Sequence, residues 1–364
     1  MRTDMARMTV FHAERRAFEL VDVEIPELGP GEMLVRNLYA TLCRSDVLTV
    51  QGKRREKDPT ILGHEVVGRV VAMGPGCVHE DLRGHLVRVG DRLTWAIYAA
   101  DPGSRMSKLG MPQKSEGLFK YGHERVTEDC ILHGGLASHI ILRRHTPVVV
   151  LPAEGVPDRT AAIINCAVAT VAGGIRLSGD LEGRQVLVTG SGMLGLVAVA
   201  MCRDKGAARV AAMDADPSRL EWAMRFGADI GIPASDFLRP ADAVGPGSDH
   251  QPFDRVLDFT GHPDILRRGV DCLGTGGSAI WVGSTYPQPP VQIDAESIVR
   301  RLLTIRGLHN YIPDDLLAAV DFMERRHASM PFDALVSGDF ALEDVEEAFR
   351  CAITDNPCRV GIRL

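Results

Sequence analysis

The sequence has no block of lysine and arginine, no long apolar run and no disulfide framework, and each absence removes a class of function. Lys plus Arg number 41 against 48 Asp plus Glu, a formal net charge of −7. A mildly acidic chain without a basic block has no electrostatic footprint for nucleic acid. No apolar run reaches about 18 residues, so no membrane span is expected. Met1-Arg2-Thr3-Asp4-Met5 lacks the apolar core of a signal peptide, and a cytoplasmic location is expected. The cysteines (Cys43, Cys77, Cys130, Cys166, Cys202, Cys272, Cys351 and Cys358) are scattered along a large chain. Such scatter fits a reducing compartment with reactive or metal-binding thiols.

What is present is ordinary for a soluble globular protein: 364 residues, 45% hydrophobic and 24% charged. At about 150 residues per domain this suggests two domains. The first part reads as β-rich, with short runs at Met33 to Val35, Val66 to Ala72 and His139 to Leu142 between Gly and Pro punctuation. Thr160 to Ile175 is small and apolar and reads as a buried helix. Val186 to Thr189, a Gly-rich turn, an apolar stretch from Met193 to Asp204 and Val210 to Asp214 then form a strand–helix–strand unit of a parallel sheet. Further strands are expected at Arg255 to Phe259, Ala279 to Val282 and Thr304 to Arg306, with a surface loop from Arg239 to Pro252. The last sixty or so residues do not continue the alternation and are expected to return to the first domain.

Gly190-Ser191-Gly192-Met193-Leu194-Gly195 matches G-x-G-x-x-G after a strand and at the start of a helix. Gly190 suits the tight turn, Gly192 the approach of a pyrophosphate and Gly195 close helix–strand packing. The helix start, with Met193 and Leu194, offers unpaired N–H groups and positive dipole to the phosphates. Asp214, nineteen residues after Gly195, stands where a carboxylate accepts from both hydroxyls of an adenosine ribose. A 2′-phosphate would meet that charge, so NAD(H) is favoured over NADP(H).

Cys43 lies in a loop-like stretch, His64 follows about twenty residues later, and Cys166 begins the apolar helical stretch. Two thiolates and an imidazole make a Cys₂His set of the kind a catalytic zinc takes, with a fourth position open. From spacing alone, a core cysteine and a structural histidine are the other reading of the same residues.

Gly63-His64-Glu65-x-x-Gly68-x5-Gly74-x-x-Cys77, with Cys43, Cys166 and the glycine turn in order, resembles the zinc-alcohol-dehydrogenase signature of the medium-chain dehydrogenase/reductase superfamily. The resemblance covers essentially the whole chain. It implies an α/β protein: a GroES-like β-rich catalytic domain over residues 1–166, completed by 306–364, and a Rossmann NAD-binding domain over 167–305, with the active site in the cleft between them. It also implies Cys43, His64 and Cys166 as zinc ligands and Glu65 as a carboxylate that approaches the metal. Asp46 would be the acid that orients the ligand histidine, and Ser45 the hydroxyl that passes the substrate proton. Arg44 and Arg359 would face the coenzyme pyrophosphate, and Arg219 the adenosine ribose. Homodimers or homotetramers are implied as well.

Two departures stand out. Counting on from Gly90-Asp91-Arg92, the positions that in many members hold a second, structural zinc are Asp101, Ser104, Ser107 and Ser115, with no cysteine among them. Neutral hydroxyls are poor ligands beside thiolate, so one catalytic zinc and no structural zinc is expected, with that lobe held by packing and hydrogen bonds. Leu48 stands where members often carry a proton-relay histidine.

The expected reaction is hydride transfer between nicotinamide and an alcohol or carbonyl, with zinc as Lewis acid. Trp95, Ile97 and Tyr98 read as core packing or as an apolar pocket wall. Lys120 to Glu124 and Gly134 to His139 resemble a branch of cyclitol and sugar-alcohol dehydrogenases and of dehydrogenases associated with phosphonate catabolism. That implies a polar polyol, cyclitol, sugar or phosphonate substrate. Lys120, His123 and Arg125 are candidates to meet an anionic group, solvated surface charge being the other reading. A zinc-free reductase of the same superfamily and a non-catalytic dinucleotide-binding protein are the alternatives.

Overall fold

The structure, a computed structural model, describes residues 5–77, 79–239 and 252–364. Apart from its two ends, the Arg239 to Pro252 loop of the sequence reading lies outside them. The chain divides into two units, Met1–Ala169 with Ile312–Leu364, and Thr170–Tyr311. Both joints fall a few residues beyond 166/167 and 305/306. The helical segment carrying Cys166 runs on into the helix Ala169–Ser178, and Thr304–Gly307 is the last strand of the second unit's sheet.

In the first unit a seven-stranded sheet runs in the order Val336–Ala341, Arg359–Arg363, Met33–Thr41, Glu65–Met73, Arg92–Trp95, Val148–Val150, and His139–Leu142 pairs with Met33–Thr41 off that path. The C-terminal segment therefore returns as strands: Gly361 pairs with Thr41 and Arg363 with Tyr39, antiparallel. The helix Val345–Thr354 buries Val345, Ala348, Phe349 and Ala352, the i, i+3, i+4, i+7 stripe of an amphipathic helix. Phe349 stacks on Phe18 with ring centroids 4.9 Å apart. Losing a buried phenyl of this kind costs about 3–5 kcal/mol. Trp95, Ile97 and Tyr98 are buried here, so each serves the core.

The segment Asp158–Ser178 has the length and mean hydropathy of a membrane span, which the count of unbroken apolar residues did not anticipate. It is a core helix, with 78% of the apolar window buried inside the protein. Its regularity is interrupted by a π turn at Ile164–Val168, and Cys166 sits on that turn.

The second unit is a six-stranded, wholly parallel sheet in the order Ile230–Pro233, Arg209–Asp214, Gln185–Thr189, Phe253–Asp258, Leu273–Trp281, Thr304–Gly307. This is the Rossmann order, in which direction reverses between Gln185–Thr189 and Phe253–Asp258. Val186, Leu187 and Val188 are fully buried, as expected of a parallel strand covered on both faces. The order places the turn after Thr189 at the reversal, where such sheets bind ligands.

Candidate metal centre and nucleotide turn

Cys43 ends the strand-side loop and caps the helix Arg44–Val50 in an extended conformation. The cap works through Asp46, whose Oδ2 accepts the Cys43 N–H at 3.0 Å. The other oxygen of Asp46 accepts the Gly63 N–H at 3.3 Å and lies 3.5 Å from His64 Nδ1. One buried carboxylate thus ties the first ligand segment to the second. On the third, Asn165 Oδ1 accepts the Val66 N–H at 3.4 Å, which docks the π turn on the strand that follows His64. π turns inside helices are frequent at functional sites.

These ties bring Cys43, His64 and Cys166 together, with ligand atoms all within 4.8 Å of one another. Among the described residues this is the group of His, Cys, Asp and Glu able to hold a metal ion. The Cys166 thiol hydrogen-bonds Cys43 and holds the Cys43 thiol well below its ordinary value, against burial and with help from Arg359 and His64. The same hydrogen bond, with burial, pushes Cys166 up. Burial disfavours the His64 imidazolium, but Asp46 and Cys43 outweigh it and hold its pKa up. The set fits zinc: sulfur and imidazole donors suit the ion. With Nδ1 facing Asp46, Nε2 is left as donor, the arrangement that fixes the tautomer of a ligand histidine.

Glu65 is buried beside this centre. Its carboxylate accepts from Thr41 Oγ1 at 2.7 Å and from Arg359 Nε and Nη2 at 2.5 and 2.7 Å. Arg359 Nη2 also lies 3.8 Å from Cys43 Sγ. Arg359, expected to face a pyrophosphate, is held within the first unit by this pair. Burial pushes Glu65 up, opposed by Arg359. Ser45 is half-buried on the first turn of the helix, Arg44 is exposed and reaches Asn356 Oδ1 at 3.3 Å, and Leu48 is half-buried.

In the second unit, Gly190 adopts φ 89°, and a Cβ on Gly195 would come to 1.7 Å from the Gly190 carbonyl oxygen, so no larger residue fits. Gly192 caps the helix Met193–Asp204. Asp214 is preset by two backbone donors, Ser191 N–H at 2.6 Å and Asp216 N–H at 3.0 Å. Arg219 stands over the turn, its Nη1 3.8 Å from where a Gly192 Cβ would be. The sequence reading missed Asp258: its buried carboxylate accepts from Thr189 and Thr260 hydroxyls, each at 2.7 Å, and from Gly261 N–H at 2.8 Å. It therefore joins the two strand ends at the reversal. Asp-Phe-Thr-Gly after an apolar strand was the available signal.

At the four positions without cysteine, the hydroxyls bond to one another. Ser104 Oγ accepts from Ser107 N–H at 3.1 Å and from Ser115 Oγ at 2.9 Å, and lies 3.0 Å from Ser107 Oγ, while Asp101 Oδ1 accepts the Gly103 N–H at 2.8 Å. Arg125 is exposed, which makes it surface charge. Lys120 is half-buried and His123 buried.

Residues 29–153 match the family described as "Alcohol dehydrogenase GroES-like domain", and residues 194–325 the family described as "Zinc-binding dehydrogenase". L-threonine 3-dehydrogenase of Deinococcus deserti is 29% identical over 305 residues, 81% of each chain. The solved structure of an alcohol dehydrogenase from Thermotoga maritima is 26% identical, covers 99% of each chain and superposes with a TM-score of 0.91. That of 2R,3R-butanediol dehydrogenase from Bacillus subtilis, at 22% identity, 99% coverage of each and a TM-score of 0.82, shares the fold.

Proposed function

We propose that this chain, which belongs to the zinc-containing alcohol dehydrogenase family of the medium-chain dehydrogenase/reductase superfamily, is a zinc-dependent, NAD(H)-linked alcohol dehydrogenase or carbonyl reductase. The observation that carries the reading is the convergence of two sulfurs and an imidazole from three distant segments, with a buried carboxylate behind the imidazole. A drifted, non-catalytic binder has no need of that set, and neither does a zinc-free reductase.

When bound, zinc supplies Lewis acidity that lowers the pKa of a substrate hydroxyl, and nicotinamide supplies the hydride acceptor. The chain does the rest. Cys43, His64 and Cys166 hold the ion, and Asp46 orients His64. Ser45 takes the substrate proton. Leu48 has no group to relay that proton, so Ser45 would be the chain's own hydroxyl that passes it on. Arg359 neutralises Glu65 and keeps a positive charge beside the Cys43 sulfur, which leaves the exposed Arg44 as the arginine that faces the coenzyme pyrophosphate. Met193 and Leu194 N–H groups take the phosphates at the helix start. Asp214, already aimed by two N–H donors, accepts the ribose hydroxyls and selects NAD(H), and Arg219 covers that ribose.

We assign one zinc per chain, because hydrogen-bonded serines stand where a second zinc would need thiolates. The substrate is a polar small molecule of polyol, cyclitol, sugar or phosphonate type. The relatives named for L-threonine and butanediol support a small hydroxylated substrate. The protein acts in the cytoplasm as a homodimer or homotetramer. The test is zinc per chain by metal analysis, then NAD⁺ reduction across polyols, cyclitols and hydroxyphosphonates. Cys43→Ala should lose zinc and turnover while NADH binding survives. Activity retained by metal-free Cys43→Ala protein would refute the zinc role.

A further inference from the structure

Asp258 ends the strand Phe253–Asp258, beside the reversal of the parallel sheet, and is 1% exposed. A carboxylate so far out of water is costly unless donors surround it, and here they come from both sides. On the neighbouring strand Thr189 Oγ1 donates to Oδ1, and Thr260 Oγ1 donates to the same oxygen, each at 2.7 Å. Gly261 N–H donates to Oδ2 at 2.8 Å. The main-chain carbonyl of Asp258 accepts from Val282 and Gly283 N–H at 2.9 and 3.1 Å, just beyond the strand Leu273–Trp281. One residue thus ties together the ends of three adjacent strands. The Thr260 hydroxyl also accepts the His262 N–H at 3.1 Å, so it links the carboxylate to the far side of the turn Phe259–His262.

The turns held in this way are packed without slack. A Cβ on Gly261 would lie 2.6 Å from the Gly283 carbonyl carbon, and one on Gly283 would lie 2.3 Å from the Gly261 nitrogen. Ser284 Oγ donates to the Gly261 carbonyl at 3.4 Å. On the other side, a Cβ on Gly190 would come to 2.9 Å from Thr260 Cγ2, so Thr260 abuts the glycine turn itself. A sheet of this order carries two mononucleotide-binding halves, one on each side of the reversal. The glycine turn and Asp214 belong to the half that ends in Gln185–Thr189 and Arg209–Asp214. That half is fitted to adenosine and the phosphates. The turns after Phe253–Asp258 and Leu273–Trp281 belong to the other half, which leaves the nicotinamide riboside to them.

We propose that Asp258 is the positioning residue for the nicotinamide half of the coenzyme. By holding Thr260 and Gly261 against Gly190 and Gly283, it presets the surface on which the nicotinamide riboside seats. A surface already ordered loses no further freedom when the coenzyme binds. This inference rests on the NAD(H) reading above.

Asp258→Asn keeps the volume and removes one acceptor. With either amide orientation, at least one of the three donors loses its acceptor. The turns then spend part of their time out of place, and affinity falls with the fraction still preset. The test uses the zinc-loaded full chain and compares NADH with ADP, which has the adenosine and both phosphates but no nicotinamide riboside. Calorimetry should show wild type binding NADH more tightly than ADP. In Asp258→Asn, NADH should weaken roughly 10-fold and ADP by less than about twofold. Thr260→Val removes the linking hydroxyl and should act in the same direction, whereas Thr260→Ser keeps it and should retain most of the wild-type ratio. The Thr260 pair carries the test if Asp258→Asn does not fold. A residue that served stability alone would weaken both nucleotides alike. An NADH-to-ADP ratio unchanged in both Asp258→Asn and Thr260→Val overturns the proposal, and so does a wild type that binds NADH no tighter than ADP. Equal losses in Thr260→Ser and Thr260→Val would assign the effect to the methyl and overturn it as well. Turnover separates the two readings. Selective loss of NADH binding in these variants, with no alcohol oxidised by wild type, sinks the dehydrogenase reading and leaves the role of Asp258 standing. Alcohol oxidation by wild type with an unchanged ratio in the variants does the reverse.

Discussion

Asp46→Asn changes almost no volume and removes one charge, which makes it the sharpest probe of the metal centre. Asp46 is 1% exposed and both its oxygens are in use. Oδ2 accepts the Cys43 N–H at 3.0 Å, and Oδ1 accepts the Gly63 N–H at 3.3 Å while facing His64 Nδ1 at 3.5 Å. An amide keeps a single acceptor oxygen, so one buried N–H faces an NH₂. Leaving a buried donor unsatisfied costs roughly 1–3 kcal/mol of stability. The carboxylate is also the partner of a ligand imidazole, and losing such a partner weakens metal binding about 10–100-fold, roughly 1.4–2.7 kcal/mol. The two effects separate in the measurement. Cap loss weakens the metal-free and metal-loaded proteins alike and cancels from the zinc affinity. Competition with a chromophoric chelator should therefore show zinc bound about 10–100-fold more weakly, and urea unfolding of the metal-free protein a loss of roughly 1–3 kcal/mol. Zinc affinity within about threefold of wild type, alongside lost stability, would reduce Asp46 to a helix cap and refute the reasoning.

Two further predictions concern the coenzyme and pH. Asp214→Gly removes an acceptor preset by Ser191 and Asp216 N–H groups, so kcat/KM with NAD⁺ should fall roughly 10–100-fold while that with NADP⁺ rises; an unchanged coenzyme ratio would show that Asp214 does not select. His133 is buried, with neither ring nitrogen hydrogen-bonded among the described residues, and burial pushes its pKa down to about 4. The unfolded value is about 6.5, so between the two the unfolded chain binds the extra proton. The stability linked to neutral His133 is complete above pH ~6.5 and is lost as pH falls toward 4, by roughly 3 kcal/mol for a gap of about 2.5 pH units. Urea unfolding at pH 7 and pH 4.5 should show a larger loss in wild type than in His133→Phe, and equal losses would contradict the assignment.

How far each feature could be read in advance follows from how far apart its residues lie in the chain. The glycine turn is local. Strand, turn, helix and acceptor carboxylate all fall between Gln185 and Asp214, and periodicity with one glycine spacing fixes their relation. The metal ligands are not local. Spacing could not separate them from two core cysteines and a core histidine, and only the likeness to a known signature joined them. In the fold the joining is done by Asp46 and Asn165, two polar side chains whose partners lie 17 and 99 residues away. Nothing in their immediate neighbours announces this.

The same reasoning accounts for the residues that were misplaced or unseen. Arg359 was expected to face a pyrophosphate, but the strand it begins pairs with Met33–Thr41, and one of that strand's other neighbours begins with Glu65. Sheet order, not sequence, delivers its guanidinium to that carboxylate. Glu56 sits in a charged run that composition assigns to solvent, yet the turn at Gly122 lays His123 against it from 67 residues further on. Each is a charge buried by a long-range contact and matched by a specific partner.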